Sequence, residues 1–426
     1  MNKKRVGIAL FAGVLSIGML SGCGDEKKDA KGGKTDLKVA IWDYSTTEYY
    51  KTMFDAFTKK NPDINIEVVE FSADEYDNTV TTQLGGKQDF DVVFTKGTPA
   101  LSGLIAQGHV ISLDDYIKND SDFNKDNYLG LIDQLTMDDK VYGVPFRKDN
   151  NLLFYNKDLF DKADVPYPED GMNMKEYHEL AEKMTSGTGN DKVYGAHFHT
   201  WASNVYDLAR RPEAFDQLDT DTYDNLKPYY DEVLAMQDEG AIQDYGALKS
   251  SNIHYSGVFY NQQTSMITIG TWFINNLLEN VTDFNWGVCS TPNNEGMGKD
   301  NAVGGVTPVS IGAYAKHPDE AWKFISYICG EEGAEVIAKT GILPGYNSDK
   351  INQIFDDLPK TYENAPENLS NYIDVDKYVI EQRMDPKIKD IENILTEEHS
   401  EIMTKSISVD EGVKKMKERV SELQQN

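Results

Sequence analysis

Aromatic side chains follow several of the predicted strands of this sequence. Trp42 and Tyr44 come after one apolar strand, and Trp272 comes after another. The densest aromatic run of the chain holds His199 and Trp201. Aromatic faces can stack on the C–H surfaces of a polyhydroxylated solute while polar neighbours bond its hydroxyls, and a buried hydroxyl without a partner costs about 1 to 3 kcal/mol. These residue types indicate a site for a small polar molecule.

Two charged residues lie where the strand pattern breaks. Gly143 and Pro145 interrupt the apolar run at 141–146, and Arg147 and Asp149 follow directly. A charge at such a break has little structural purpose unless it lines a cleft. The segment is therefore predicted to cross between two lobes, with both charges facing the space between them.

The sequence lacks the motifs of enzymatic chemistry. It contains no Gly-x-Ser-x-Gly, His-Glu-x-x-His, phosphate loop or Cys-x-x-Cys, so nucleophilic, metal and nucleotide chemistry have no recognisable residues. We predict a protein without catalytic activity, cofactor or metal. A glycoside-active enzyme is the alternative, because a chain rich in Asp and Glu always offers carboxylate pairs of the kind that glycoside hydrolysis uses.

The elements that would position these residues are alternating strands and helices. Apolar patterning predicts strands at 37–42, 64–71 and 91–94, a helix at 47–60, and a polar helix that ends near Gln83. This order favours a parallel sheet covered on both faces.

Further elements follow along the chain. Helices are predicted at 100–107, 174–183, 223–239 and 318–339, strands at 151–155 and 266–270, a glycine-rich break at 303–306, and two amphipathic helices over 391–423 with Ser408 capping the last. The roughly 390 residues of the folded body exceed what one compact core usually holds, so two lobes are expected.

The first residues have the features of a secretory signal peptide. A basic start precedes a mostly apolar run at 6–20, and Leu20-Ser21-Gly22-Cys23 resembles the bacterial lipobox. The run is shorter than the roughly 20 residues of a membrane-spanning helix. We predict removal of 1–22, acylation of Cys23, a polar tether over 23–35, and attachment to the outer face of a cell membrane by lipid alone. A plain signal peptide is the alternative.

The chain is strongly acidic. Its formal net charge is −29 at pH 7, and removal of residues 1–22 takes away three positive charges and no negative one, which brings the net charge to −32. Such a surface repels nucleic acid, so no nucleic-acid partner is predicted.

The chain has three cysteines. With Cys23 acylated, Cys289 and Cys329 remain, and each lies in an apolar stretch typical of a buried thiol. No spacing suggests zinc or a redox pair. A disulfide between the two is the alternative to two free thiols.

Several strings of the sequence together resemble the family 1 extracellular solute-binding proteins of ABC importers. They are the strand ending in Trp42, FDAFTKKNPDI at 54–64, DVVF at 91–94, VYGVPF at 141–146 and LFYNKDLF at 153–160. The similarity covers nearly the whole chain after the leader, and the strings occur in the family's order.

This resemblance implies an α/β fold of the type II periplasmic-binding-protein class, in which two lobes each hold a central sheet flanked by helices and the ligand cleft lies between them. Lobe 1 would comprise 36–146 and 304–345, and lobe 2 would comprise 147–303 and 346–426. Open α/β sheets bind ligands beyond the carboxyl ends of their strands, which points to the same cleft.

The resemblance also implies a function. The protein would be a monomeric lipoprotein that captures a sugar or oligosaccharide by hinge closure and delivers it to the permease subunits of an ABC importer. A binding protein for another polar solute, such as a polyol, and a sensor partner that presents its ligand are alternatives.

In lobe 1, the resemblance places ligand residues after the strands. The turn of Trp42 and Tyr44 would face the cleft, although Trp42 could equally belong to the core. Thr98 matches a position where the family often has a polar sugar contact, and Lys96 lies beside it.

In lobe 2, Trp201 follows a predicted strand where the family's stacking residues lie. His199 is a further candidate, although such a histidine is often a core or surface residue. Gly270-Thr271-Trp272 resembles the family's Gly-Pro-Trp element with Thr271 in place of proline, which leaves the shape of the loop open, and Trp272 is predicted to stack on the ligand.

The remaining candidates lie at predicted crossings. Gly304 and Gly305 look like the family's second crossing, with an ordinary loop as the alternative. Tyr346 lies near a third crossing and could instead be a surface tyrosine.

Ferric iron is an alternative ligand, because related iron carriers use adjacent tyrosines. Tyr49-Tyr50 and Tyr229-Tyr230 are such pairs, but both lie in predicted helices. We expect one tyrosine of each pair to face the core and the other to face solvent.

Overall fold

The computed structural model describes residues 34–251, 253–294, 301–375 and 377–425, so the predicted leader and Cys23 lie outside the described residues. The strands of this part of the chain are β1 (Thr35–Trp42), β2 (Ile64–Phe71), β3 (Val92–Phe94), β4 (Thr136–Met137), β5 (Lys140–Val141), β6 (Val144–Lys148), β7 (Asn151–Asn156), β8 (Tyr194–His197), β9 (Thr264–Gly270), β10 (Trp286–Ser290), β11 (Asn301–Gly304), β12 (Val306–Ile311) and β13 (Lys377–Ile380).

The α-helices of the described residues lie between the strands along the chain. They are α1 (Glu48–Lys60), α2 (Tyr76–Gly85), α3 (Thr98–Ala106), α4 (Asp114–Asn119), α5 (Leu131–Gln134), α6 (Lys157–Ala163), α7 (Met174–Met184), α8 (Ser203–Arg210), α9 (Lys227–Asp238), α10 (Tyr245–Ser251), α11 (Tyr255–Tyr260), α12 (Trp272–Asn280), α13 (Pro318–Cys329), α14 (Glu331–Ala338), α15 (Asp349–Asp357), α16 (Ile388–Met403) and α17 (Val409–Gln425).

The first sheet has the strand order β2-β1-β3-β12-β6. β1 runs parallel to β2 and β3, as predicted, because helices connect these strands. β12 runs antiparallel to β3 and β6. The sequence did not predict this strand direction, because β12 returns to the sheet after a long excursion through the other lobe.

The second sheet has the strand order β10-β7-β9-β8. β7 is antiparallel to both of its neighbours, and β8 is parallel to β9. Leu152 and Phe154 of β7 pack into one core, and Leu153 and Tyr155 pack into another on the opposite face. Burial on both faces explains why residues 152–155 of this strand are all apolar or aromatic. The two sheets and their helices form two lobes.

Short segments of the chain connect the two sheets. β6 ends at Lys148 and β7 begins at Asn151, so residues 149–150 form the first crossing and the predicted boundary after residue 146 falls inside β6. The second crossing, at Gly304 and Gly305, leads from β11 into β12. At the third, Ile342 packs in the first lobe and Leu343 in the second.

The C-terminal segment visits both lobes. β13 pairs with β11, and Val375, Tyr378 and Ile380 pack in the core of the first lobe. α16 and α17 then pack on the second lobe. All of 346–426 was predicted to lie in lobe 2. The sequence did not predict that this segment packs on the first lobe, because the short strand β13 has no clear sequence signal.

Two predicted helices differ in their bounds. The helix predicted at 223–239 begins as a 3₁₀ turn and becomes α9 at Lys227, because Pro228 has no N–H to donate and suits the first turn of a helix. The helix predicted at 318–339 is divided into α13 and α14 at Gly330. Ser408 caps α17 as predicted, accepting a hydrogen bond from the Glu411 N–H at 3.2 Å.

The two described cysteines are free thiols in different cores. Cys329 packs in the first lobe and Cys289 in the second, and burial raises the pKa of both thiols. The alternative of a disulfide between them is therefore wrong. Among the helices of the described residues, none has the length and apolar character that crossing a bilayer demands.

Candidate functional site

Trp42 ends β1 and lies at the rim of the first core. Its side chain is 7% exposed, and its ring meets Tyr76 edge-on with the centroids 4.9 Å apart. The exposed Lys96, which follows β3, holds its Nζ 5.7 Å from the centroid of the Trp42 ring and donates a hydrogen bond to the Ala73 carbonyl. Trp42 is therefore largely a core residue, with Lys96 as its polar neighbour.

The other two candidates of the first lobe are engaged inside the protein. Thr98 is buried, and its Oγ1 donates a hydrogen bond to the Gln382 carbonyl at 2.6 Å. Tyr44 is half-buried, and its ring centroid lies 5.4 Å from that of Phe54 on α1. Thr98 thus holds the C-terminal segment against the first lobe, and Tyr44 packs on the first core.

Asp149 lies in the first crossing and contacts both lobes. Its backbone N–H donates to the Gly305 carbonyl at 2.9 Å, and the backbone N–H of Trp272, at the start of α12, donates to its carboxyl group. The first amides of a helix have no partner within the helix and favour a negative charge nearby. Burial nevertheless raises the pKa of Asp149 to about 6, against the opposing effects of Arg147 and of this amide.

Thr271 explains how the chain departs from the family's Gly-Pro-Trp element. The residue is buried, and its Oγ1 accepts a hydrogen bond from the backbone N–H of Asn150 at 3.0 Å. A proline has no hydroxyl and would leave this buried N–H without the contact. The threonine therefore ties the first crossing to the second lobe.

Arg147 anchors β6 within the first lobe. Its Nε donates to Thr307 Oγ1 at 3.1 Å, and its Nη1 donates to the Tyr49 hydroxyl at 3.1 Å. The guanidinium also lies near enough to Asp149 to oppose the rise in that group's pKa. Arg147 therefore positions the crossing and contributes a positive charge beside it.

Trp201, Trp272 and Tyr255 form a cluster of rings in the second lobe, which we name the aromatic platform. The Trp201 centroid lies 5.6 Å from that of Tyr255 and 6.2 Å from that of Trp272. The Trp272 indole N–H donates to the Tyr255 hydroxyl at 2.9 Å. Trp201 is 40% exposed, Trp272 is partly exposed and Tyr255 is buried beneath them at 7%. Exposed apolar rings of this kind are typical of a ligand-binding groove.

Gly270 makes room for the platform. It ends β9, and a Cβ built on it would lie 1.9 Å from the ring of Trp272. Any other residue at this position would displace the ring. The position of Trp272 thus depends on the glycine that precedes Thr271.

His199 packs against the platform. Its ring centroid lies 4.6 Å from that of Trp201 and 5.3 Å from that of Tyr255. Burial lowers the pKa of His199 to about 4, with a smaller contribution from His254, so the ring is neutral at neutral pH. Its buried Nδ1 has no hydrogen-bond partner among the described residues. A neutral imidazole of this kind can bond a ligand hydroxyl.

Gly304 and Gly305 bring the second crossing against Asp149. A Cβ at Gly304 would lie 1.7 Å from the Asp149 carbonyl oxygen, so only glycine permits this approach. A Cβ at Gly305 would lie 3.9 Å from Asp149 Oδ2 and 3.7 Å from Glu381 Oε2. The backbone of Gly305 therefore borders two carboxyl groups.

Tyr346 lies apart from these residues. Its hydroxyl accepts a hydrogen bond from Asn127 Nδ2 at 2.7 Å, and its ring packs edge-on to Tyr128 at 5.7 Å. It lines a separate cavity together with Phe123, Tyr327 and several acidic residues. The structure does not bring Tyr346 together with the other candidates.

Sequence reasoning missed Tyr255 and Glu381. Tyr255 starts the short helix α11, where a tyrosine gives no distinct signal. Glu381 follows β13, in a part of the chain for which no element was predicted. Burial raises the pKa of the Glu381 carboxyl to about 6.

The structure gathers most of the candidates at the carboxyl ends of strands. Trp42 ends β1, Lys96 follows β3, and His199 and Trp272 follow β8 and β9. Ligands of open α/β sheets bind at this end. The candidates that contact one another at the crossings and the platform are Asp149, His199, Trp201, Trp272 and Gly305. The charge of Arg147 acts on Asp149.

The tyrosine pairs considered as iron ligands are buried. Their exposed fractions are 9%, 1%, 1% and 1% for Tyr49, Tyr50, Tyr229 and Tyr230. The expectation that one of each pair faces solvent is wrong, because α1 and α9 are each packed against several other elements. Burial raises the pKa of Tyr50 and Tyr230, which disfavours the phenolate form.

A group of potential metal ligands lies on the second lobe. Ligand atoms of His178 and Glu182 on α7 and of Glu239 after α9 lie within 4.8 Å of one another. Exposed acidic groups are common without a metal, and these residues are not among those gathered at the platform.

The proteins that are similar to this chain over most of its length include two of known structure and one curated relative. A crystal structure of a sugar transporter from Rhizobium etli, in an open conformation, has 34% identity and a TM-score of 0.80 and covers 91% of this chain and 99% of that one. An ABC substrate-binding protein from Listeria monocytogenes, in complex with cycloalternan, has 20% identity and a TM-score of 0.76, covering 92% and 99%. The arabinooligosaccharide-binding protein of Bacillus subtilis has 23% identity over 356 residues, 78% of this chain and 77% of that protein.

The likenesses confirm the predicted fold class, the type II periplasmic-binding-protein fold with its ligand cleft between two lobes. The model of the family described as bacterial extracellular solute-binding protein matches residues 44–335. This match covers more than half of the chain, so the chain belongs to the family of bacterial extracellular solute-binding proteins.

Proposed function

We propose that this protein is the substrate-binding component of an ABC importer and that it captures a sugar or oligosaccharide between its lobes. The observation that carries the proposal is the aromatic platform, which lies beside the buried carboxyl group of Asp149. Its rings can stack on the C–H faces of a sugar, and the carboxyl group can accept hydrogen bonds from sugar hydroxyls. The ligands named for the relatives from Bacillus subtilis and Listeria monocytogenes support the same chemical class.

Capture would use hinge closure. The crossings are short and hydrogen-bonded to each other between Asp149 and Gly305, so rotation about them would bring Lys96 and Trp42 towards the platform. A ligand that contacts both lobes favours the closed state, because it shifts the equilibrium by its difference in affinity for the two states. No covalent step is required.

The predicted site residues have unequal support. Trp201 offers an exposed ring and Trp272 a partly exposed one, Asp149 offers a carboxyl group, and Gly305 offers backbone without a side chain. His199 adds a buried ring nitrogen that has no hydrogen-bond partner among the described residues. The other predicted residues are largely buried, engaged in contacts within the protein or placed elsewhere; they are Trp42, Tyr44, Lys96, Thr98, Arg147 and Tyr346.

We further propose that the protein acts as a monomer without turnover, that an acylated Cys23 anchors it to the outer face of the membrane, and that it delivers its ligand to a permease. Membership of an extracellular solute-binding family supports the location. The lipobox-like Leu20-Ser21-Gly22-Cys23 supports the anchor.

The test is a thermal-shift screen against neutral mono- and oligosaccharides, polyols and ferric ion. A ligand that binds only the folded protein raises the melting temperature by mass action. We expect at least one carbohydrate to do so, and we expect Trp272→Ala to abolish the shift while the variant stays folded.

Tyr314→Ala is the matched control, because Tyr314 is an exposed aromatic residue of the first lobe, 36% accessible. It should keep the full shift. A shift with ferric ion and none with any carbohydrate would contradict the proposal, as would turnover of an oligosaccharide that one carboxylate substitution abolishes.

A further inference from the structure

Glu381 places a second carboxyl group next to that of Asp149. A Cβ built at Gly305 would lie 3.7 Å from Glu381 Oε2 and 3.9 Å from Asp149 Oδ2. Both carboxyl groups therefore face the position that a side chain would occupy at residue 305 and that glycine leaves open. A ligand that approaches this backbone meets both groups.

Hydrogen bonds from several elements fix the position of Glu381. Its backbone N–H donates to the Gly304 carbonyl at 2.8 Å, and its carbonyl accepts from Gln217 Nε2 at 2.7 Å. Gln382 Nε2 donates to its Oε1 at 3.2 Å, and Ser203 bonds the carboxyl group. The carboxyl group is thus held in place before any ligand arrives.

The charged neighbours of the pair at neutral pH are mainly two arginines, because burial raises the pKa of Asp207 well above its usual value and that of Glu392 to about 8. The titratable and charged residues that face Asp149 or Glu381 are Arg147 on β6, Tyr206, Asp207 and Arg210 on α8, Tyr255 on α11, Tyr378 on β13 and Glu392 on α16. The two arginines donate hydrogen bonds to neutral acceptors. Within the described residues these hydrogen bonds of the arginines go to other acceptors, so both carboxyl groups keep capacity to accept hydrogen bonds from a ligand.

Burial raises the pKa of Asp149 and of Glu381 to about 6 each. At neutral pH both groups are mostly ionised, yet they are poorly solvated. A carboxylate in this state gains from hydrogen-bond donors and is destabilised by a further negative charge.

We infer that Asp149 and Glu381 together select a neutral sugar, whose hydroxyls donate hydrogen bonds to both carboxylates, and reject an anionic one such as a uronic acid. The inference rests on the proposed function and narrows its ligand class. It assigns a direct ligand contact to Glu381, which comes from the C-terminal segment rather than from either sheet.

A dependence of affinity on pH follows. Hydroxyl donors favour the ionised carboxylates, so binding lowers both pKa values and releases protons when the pH is near 6. Affinity should be constant well above pH 6 and should fall below it. Between pH 7.5 and pH 5 the loss is about tenfold for one such group and up to about a hundredfold for two.

The first experiment measures binding by full-length wild type and by Glu381→Gln with matched pairs of sugars, galactobiose against digalacturonic acid and glucose against glucuronic acid, alongside maltotriose and arabinotriose. Wild type should bind a neutral sugar and not the acidic counterparts. Glu381→Gln should bind the neutral sugar about tenfold more weakly, show a smaller loss between pH 7.5 and pH 5, and discriminate less against the acids. Glu367→Gln, at an exposed position, should match wild type.

The second experiment needs no variant. Calorimetry of wild type with the best neutral sugar at pH 6, in two buffers of different ionisation enthalpy, should show net proton release on binding. Equal binding of neutral and acidic sugars, a Glu381→Gln variant that equals wild type, or no proton release would overturn the inference and leave the proposed function intact. Failure of every carbohydrate to bind wild type would overturn the proposed function itself.

Discussion

Removing the exposed ring of Trp201 should weaken sugar binding without unfolding the protein. A tryptophan side chain offers about 250 Å², and Trp201 is 40% exposed, so a stacked ligand can cover about 100 Å² of it. At about 25 cal/mol per Å² this corresponds to about 2.5 kcal/mol, or roughly a 70-fold loss of affinity for Trp201→Ala. Trp201→Phe, which keeps a flat ring, should lose much less.

Isothermal titration calorimetry with the best neutral sugar measures these affinities directly. Tyr314→Ala controls for loss of an exposed ring elsewhere, and circular dichroism checks that each variant is folded. An affinity of Trp201→Ala within threefold of wild type would refute the stacking role of the platform, because the exposed face of its most accessible ring would then contribute almost nothing.

Two predictions concern stability. Thr271→Val should lower the free energy of unfolding by about 1 to 3 kcal/mol, because the buried Asn150 N–H loses its acceptor. Thr271→Ser keeps a hydroxyl and should retain most of the wild-type stability. Equal urea midpoints for wild type and the valine variant would contradict the role given to this hydroxyl. Burial lowers the pKa of Lys148 to about 7, so between pH 7 and pH 9 the unfolded chain binds more protons than the folded one and stability should rise by about 2 kcal/mol. Lys148→Met should raise the free energy of unfolding at pH 7, and this variant should no longer gain stability between pH 7 and pH 9. Urea unfolding measures both quantities. If the variant kept the pH dependence of the wild type, the increase in stability could not be assigned to Lys148.

Local patterning predicted the elements that carry the platform. The strand at 266–270 and the aromatic residues that follow it could be read from the sequence, because strand ends and ring types are local properties. The same holds for the first crossing at Asp149, where glycine and proline break the strand pattern.

The rest of the site depends on contacts between segments that are far apart in the sequence. Local sequence patterns do not predict such contacts. β12 enters the first sheet antiparallel, and the chain beyond β13 returns between the lobes to bring Glu381 beside Gly305. Tyr346 was expected at the cleft from its place after a crossing, but packing against Tyr128 puts it in another cavity.

The sequence also did not predict that a helix would be buried on more than one face. The periodicity of α9 suggested one buried and one exposed tyrosine, yet Tyr229 and Tyr230 are both buried because α9 packs against α7, α8 and α17. Contacts made by a helix on its second face depend on elements far along the chain.

The most direct test of the central claim is a crystal structure of the protein with the neutral sugar that gives the largest thermal shift. The account predicts closed lobes, a sugar ring stacked on Trp201 or Trp272, and hydroxyls within hydrogen-bond distance of the Asp149 and Glu381 carboxylates. A sugar bound elsewhere, such as in the cavity beside Tyr346, with the platform unchanged, would contradict it.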